Sequence, residues 1–213
     1  MSLTFYYASG SPYAWRVWLA LEHVGAAYEL KTISFDAGDL KAEGYRRLNP
    51  RGRVPVLVDG GFALYESAAI VEYLADKYAD QAHLFSADMK QRAIERRMVR
   101  EADQYFAEPM EKLVSAILFT PQEKWDSEKI VAARTEIAHE LAFWETAIAG
   151  DYLAGDLSAA DFTLYPLLAL VQRMAQRRSD LAPEAMTGPK ITDWAARMEA
   201  LAVVQKTWPP HWR

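Results

Sequence analysis

Within GRVPVLVDGGFALYESAAIVEYL, residues 52–74, three groups have the types and spacing of a recognition site. Glu66 offers a carboxylate suited to an ammonium group. Ser67 opens a helical pattern, where exposed backbone N–H groups and the helix dipole favour an anion. A little upstream, Pro55 interrupts a run of β-formers made by Val54, Val56, Leu57 and Val58. Proline cannot donate to a β ladder, so it belongs at a sheet edge, at a bulge or after a cis bond. A cis bond would turn the N–H and C=O of Val54 away from the sheet, ready to pair with an extended peptide by strand addition. Together the groups describe a receptor for a short peptide with an α-amino acid end: Glu66 for the amine, Ser67 for the carboxylate, Val54 for the backbone. The plainer alternatives are a trans edge proline, an N-capping Ser67 and a Glu66 that only complements the helix dipole.

The elements that must position these groups are legible on either side. LTFYYA is rich in β-formers and is punctuated by Ser9, Gly10, Ser11 and Pro12, a strand, turn and helix start. The helix runs on Trp15, Val17, Trp18, Leu21 and Val24 and stops at Gly25; AYELKTI is a second strand, and a short helix is expected over 36–48. Two further strands meet at Asp59-Gly60-Gly61, a hairpin turn sequence, and a helix over 67–78 closes the block. The order βαβαββα over 1–79 predicts a small three-layer α/β domain with one parallel pair and an antiparallel edge. After a linker at 80–87, only helical periodicity remains over 88–213, with helices expected at 88–118, 122–148, 159–177 and 191–201. The expected class is thus α/β followed by all-α. In DLSAADFTLYPLLALV, Ser158 and Asp161 have capping-box spacing, with Leu157 and Phe162 as a hydrophobic staple; the apolar run behind them marks a buried helix.

Composition narrows the chemistry. The 213 residues carry a net charge of −5, which gives no general attraction to nucleic acid or to an anionic membrane. No basic segment followed by a long apolar run and no stretch able to span a bilayer is present, so a cytoplasmic location is expected. There is no cysteine. Disulfides, thiolate metal sites and attack by a protein sulfur are therefore excluded. His23, His83, His139 and His211 lack metal-ligand spacing, and no phosphate-binding glycine loop occurs.

NPRGRVPVLVDGGFALYESAAIVEYL, the βαβαββα unit and the later GDLSAADFTLYPLL resemble soluble, cytosolic-type glutathione transferases over essentially the whole chain. SPYAWRV is similar in particular to the serine-type, bacterial-like members nearest the theta and zeta classes. The resemblance implies a thioredoxin-like first domain, a cis Pro55, and glutathione held by Arg53, Val54, Pro55, Glu66 and Ser67. It also implies an apolar acceptor pocket between the domains and a homodimer. Glutathione is the expected cosubstrate, with no metal.

Glutathione's thiol is mostly protonated at neutral pH, whereas the thiolate is the nucleophile, so a donor aimed at sulfur is required. Tyr6, Tyr7, Ser9, Ser11 and Tyr13 follow or end the first strand. Ser11, directly before Pro12, resembles the activating residue of serine-type members; Tyr7 and Ser9 are the alternates. Ser-Pro is equally an N-cap followed by an N1 proline, and the two roles are compatible. Arg53 resembles the basic residue near glutathione's glycine end, and Lys41 is a second candidate there. On the acceptor side, Arg100, Gln104 and Tyr105 share a helix region, although Arg92, Arg96 and Arg100 also suit a solvated face with Glu95 and Glu101. Arg173 matches a zeta-type arginine, but that class carries glutamine where Glu66 stands. The tail TWPPHWR either covers the pocket or packs on the first domain. The expected activity is addition of glutathione to a small hydrophobic electrophile, with peroxidase or isomerase side activity compatible with the same thiolate. A non-catalytic scaffold and a carrier of apolar ligands are the alternatives.

Overall fold

The first strand, β1 (Leu3–Tyr7), alternates buried and half-buried side chains, with Leu3, Phe5 and Tyr7 on the covered face. The computed structural model that shows this describes residues 3–212. Ala8–Ser11 forms a turn closed by the Ser11 N–H to the Ala8 carbonyl at 3.2 Å, with Gly10 at φ 86°, the positive value a type II turn requires at its third residue. Helix α1 (Pro12–His23) follows, then β2 (Tyr28–Thr32), α2 (Glu43–Leu48), β3 (Val56–Asp59), β4 (Phe62–Tyr65) and α3 (Ser67–Lys77). The sheet order is β2-β1-β3-β4, with β1 parallel to β2 and the other pairs antiparallel. This is the expected βαβαββα thioredoxin-like arrangement. The helix expected over 36–48 is shorter: Gly38 is left-handed at φ 82°, a single 3₁₀ turn covers Asp39–Lys41, and Ala42 is extended.

The register places the functional segments. Tyr6 is opposite Val56, and Val56 is opposite Tyr65. The end of β1, the start of β3 and the end of β4 therefore lie side by side, so the Ala8–Ser11 turn, Val54-Pro55 and Glu66-Ser67 emerge at one margin.

The chain forms two compact units, one running to Ala87 and resuming at Ala202, the other spanning Asp88–Leu201. The second is helical, with α4 (Met89–Glu101), α5 (Ala107–Ile117), α6 (Ser127–Ala147), α7 (Ala159–Ala175) and α8 (Pro189–Ala200). The single helix expected over 88–118 is divided by a π turn at Ala102–Phe106. In a π turn the bonds run to i+5, which rotates the following face by one residue. Helix α7 begins with the expected capping box, and the fully buried Asp161 also accepts from Leu153 N–H at 2.9 Å and Trp194 Nε1 at 2.8 Å.

The division of the chain differs from a second domain over 88–213, because α9 (Ala202–Thr207) and the tail group with the first unit. The reason is a set of contacts with α1. Trp15 Nε1 donates to the buried Thr207 Oγ1 at 2.8 Å, Lys206 Nζ reaches Glu22 Oε2 at 2.6 Å, and Trp208 and Trp212 meet the Trp15 ring edge-on. Of the two alternatives for TWPPHWR, packing on the first domain is what its described residues do; Arg213 lies outside the described residues.

Candidate functional site

Ser11 is the N-cap of α1. Its extended backbone (φ −77°, ψ 116°) lets the Oγ accept from Ala14 N–H at 3.2 Å, while Pro12 supplies the first-turn conformation. Accepting one bond leaves the hydroxyl proton available to donate, so capping and donation to an anion coexist. The first turn of α1 contains no acidic residue to compete for that anion.

The two alternates are differently placed. Tyr7 lies in the core: its ring is 4.7 Å from that of Trp18, and its hydroxyl is buried without a hydrogen-bond partner. Burial pushes its pKa up, with the neighbouring Ser9 side chain acting in the opposite direction. The Tyr7 ring shares the covered face of β1 with Leu3 and Phe5. The Ser9 Oγ lies 2.7 Å from His211 Nδ1.

At the head of β3 the Val54–Pro55 bond is cis, and the ladder begins only at Val56. The N–H and C=O of Val54 thus take no part in it. The loop that delivers Val54 is held by two side chains: the Arg53 carbonyl accepts from Asn49 Nδ2 at 2.7 Å and from Tyr45 Oη at 2.8 Å. Both donors are buried, and burial drives the Tyr45 phenol well above its usual range, which keeps it protonated as a donor. Gly52, at φ 60°, is fixed in the same loop, because a Cβ there would come within 2.9 Å of the Leu40 carbonyl oxygen. The Arg53 side chain itself is exposed.

Beyond β4, Glu66 occupies the N-cap position of α3 with φ 70°, unusual for a residue with a side chain, and makes no side-chain cap. Ser67 is buried and is the first helical residue, which corrects the N-cap alternative. The α3 amino terminus consequently has neither a side-chain cap nor an acidic residue in its first turn, a setting that favours an anion. The exposed Glu66 carboxylate is 3.8 Å from Arg51 Nε.

Adjacent strands are about 4.8 Å apart, so β1, β3 and β4 spread these groups over roughly 10 Å, the reach of about three extended residues. The order across the margin is Ser11, then Val54, then Glu66 and Ser67. An extended tripeptide would meet a hydroxyl, a free main chain and an anion- and ammonium-binding corner in turn.

Other expected residues are carried by other elements. Lys41 is exposed on the 3₁₀ turn of the first unit. Arg100 is exposed at the end of α4, and Gln104 and Tyr105 are exposed within the π turn, all in the second unit. Among the described residues no cluster of three or more His, Cys, Asp or Glu could hold a metal ion, and no helix is long and apolar enough to cross a membrane. Sequence reasoning passed over Tyr45, Asn49 and His211 as residues of this margin. Asn49-Pro50 was a readable turn signal, but nothing local indicated where the amide would bond.

Residues 10–77 match the model of the glutathione S-transferase N-terminal domain. A glutathione S-transferase of Hyoscyamus muticus is 33% identical over 161 residues, 74% of each chain. Among solved structures, a glutathione S-transferase from the Antarctic clam Laternula elliptica superposes with a TM-score of 0.83 at 30% identity, covering 100% of this chain and 94% of its own. The theta class enzyme of Xanthomonas axonopodis pv. citri, solved with glutathione bound, gives 0.82 at 28% identity over 97% and 96%. With sequence and fold in agreement, the chain belongs to the glutathione S-transferase family.

Proposed function

We propose that the protein, a transferase by family, binds glutathione along the Ser11–Val54–Ser67 margin and ionises its thiol through the Ser11 hydroxyl. The thiolate then adds to a small hydrophobic electrophile. The observation that carries the reading is the register Tyr6–Val56–Tyr65, which brings the three segments to one edge in the order a tripeptide needs. In this reading the γ-glutamyl ammonium meets Glu66 and its carboxylate meets the α3 amino terminus with Ser67. The cysteinyl main chain pairs with Val54, and the sulfur lies over the start of α1. Two effects lower the thiol pKa there: donation from Ser11 and the positive end of the helix dipole. Arg53 is assigned to the glycine carboxylate, and Arg100, Gln104 and Tyr105 to the acceptor side. A homodimer and the cytoplasm belong to the same proposal, supported by the likeness to cytosolic-type transferases.

The test is retention on immobilised glutathione with elution by free glutathione, followed by a panel of aryl halides, hydroperoxides and cis-enone acids assayed with glutathione. Turnover of at least one electrophile with loss of the glutathione thiol is expected. Tight binding of hydrophobic dyes, independent of glutathione and without turnover, would instead make the protein a carrier.

A further inference from the structure

The tail of the first unit ends against the turn that launches α1. Trp15 is met edge-on by Trp208 at 5.4 Å and by Trp212 at 5.6 Å, and Thr207 accepts its indole N–H. Pro209 and Pro210 stiffen the connection, and the Trp212 N–H donates to the Pro209 carbonyl at 2.9 Å. These contacts anchor the segment. They also set the His211 ring over Ser9 and Gly10: Nδ1 is 2.7 Å from Ser9 Oγ, and a Cβ on Gly10 would lie 3.0 Å from Cε1 and 3.1 Å from Nε2.

We propose that His211 is a positioning residue for thiol ionisation, tying the Ser9-Gly10 turn so that the Ser11 hydroxyl is held at the angle the sulfur requires. The proposal rests on the assignment of Ser11 as the donor. The Ser11 end of the turn is held by its cap to Ala14 N–H, and the Ser9-Gly10 part is where the His211 ring bears. The turn is closed by one backbone bond of 3.2 Å, and its third residue is a glycine, which has more conformational freedom to lose than any other. A donor displaced by a fraction of an ångström stabilises a thiolate less, because charge-assisted bonds are short and directional. A bond from a segment already anchored by three tryptophans orders Ser9 at small entropic cost, and Ser9 is two residues from Ser11.

The experiment compares His211→Phe, which keeps a flat ring over Gly10 but removes Nδ1, with His211→Asn, whose amide offers a polar atom in its place. The bound thiol pKa is read from the ultraviolet absorbance of the glutathione thiolate against pH, alongside kcat, the glutathione KM and Tm. Loss of one positioning bond is expected to lower kcat at neutral pH by about 3- to 10-fold in His211→Phe, with a matching rise in thiol pKa. The glutathione KM should stay within about twofold, since that bond makes no contact with the tripeptide. His211→Asn should recover most of the loss. A wild-type thiol pKa in His211→Phe overturns the proposal, as does an equal fall in both variants that tracks a fall in Tm. Ser11→Ala in the same titration separates the two readings. If it raises the thiol pKa while His211→Phe does not, only the positioning role fails. If it leaves the thiol pKa unchanged, the donor assignment fails, and with it the positioning role.

Discussion

Replacing Ser11 with alanine removes two interactions whose sizes can be worked out separately. The first is the cap: the Oγ accepts from Ala14 N–H at 3.2 Å, and losing an N-cap serine costs about 1 kcal/mol, or roughly 2–4 °C in Tm for a chain of this length. The second, on the proposed reading, is donation to the bound thiolate. A hydrogen bond to a charged group contributes about 1.5–3 kcal/mol, equivalent to roughly one to two pKa units. The sign follows from which form is bonded: losing the donor disfavours the thiolate, so the bound thiol pKa rises toward the ordinary thiol value of about 8.5. Below both pKa values, Ser11→Ala should hold about 10- to 100-fold less thiolate and turn over proportionally more slowly. Above both, wild type and variant converge. The assay is the pH dependence of kcat/KM with an aryl halide, with Ser11→Thr as the control that retains cap and hydroxyl. A variant that melts a few degrees lower with an unshifted pH profile would show Ser11 to be a cap alone and would refute the reasoning.

Other perturbations read other links. Asp161→Ala strips a fully buried carboxylate from Leu153 N–H, Ser158 N–H and Trp194 Nε1; three stranded donors at about 1–3 kcal/mol each should lower Tm by at least about 6 °C in calorimetry, and an unchanged Tm would contradict the network. Gly10→Ala asks an L-residue to adopt φ 86° with its Cβ 3.0 Å from His211 Cε1, so Tm and glutathione turnover should both fall, and adding His211→Ala should relieve the contact but not the backbone cost of about 1–2 kcal/mol. The Asp59 carboxyl is held below its usual pKa by Lys77 Nζ at 2.7 Å and by the Tyr73 hydroxyl at 2.6 Å. Its stabilisation is therefore present above the ordinary carboxylate range and lost as pH falls through the lowered value, so Asp59→Asn should flatten the acid limb of the stability profile below about pH 4. An acid limb identical to wild type would refute that.

The parts of the fold carried by short-range pattern were legible. The β-formers of LTFYYA, the glycine turn before β4 and the Ser158–Asp161 box each act within a few residues, and each forms as read. The helix over 36–48 was over-extended because Gly38 sits inside an otherwise permissive stretch, and α9 was missed because six residues are too few to show a period. The π turn is set by how the helix packs, and no residue type announces it. At the margin, Glu66, Ser67 and Pro55 stood out because their chemistry is unusual beside a strand. Asn49 and Tyr45 did not, since their partner is a main-chain carbonyl that any residue would supply. The bond between Ser9 and His211 joins positions 202 residues apart, a distance over which local sequence carries no information.

Because α9 and the tail complete the same unit that opens with β1, the thioredoxin-like body is interrupted in sequence by the helices from Asp88 to Leu201. During synthesis the indole of Trp15 emerges long before Thr207, Trp208 and Trp212 exist. The first half is therefore left with an apolar flank uncovered on the ribosome, and the helical insert completes its own core first. Completion of the unit that carries the Ser11, Val54 and Ser67 segments thus waits on translation of α9 and the tail.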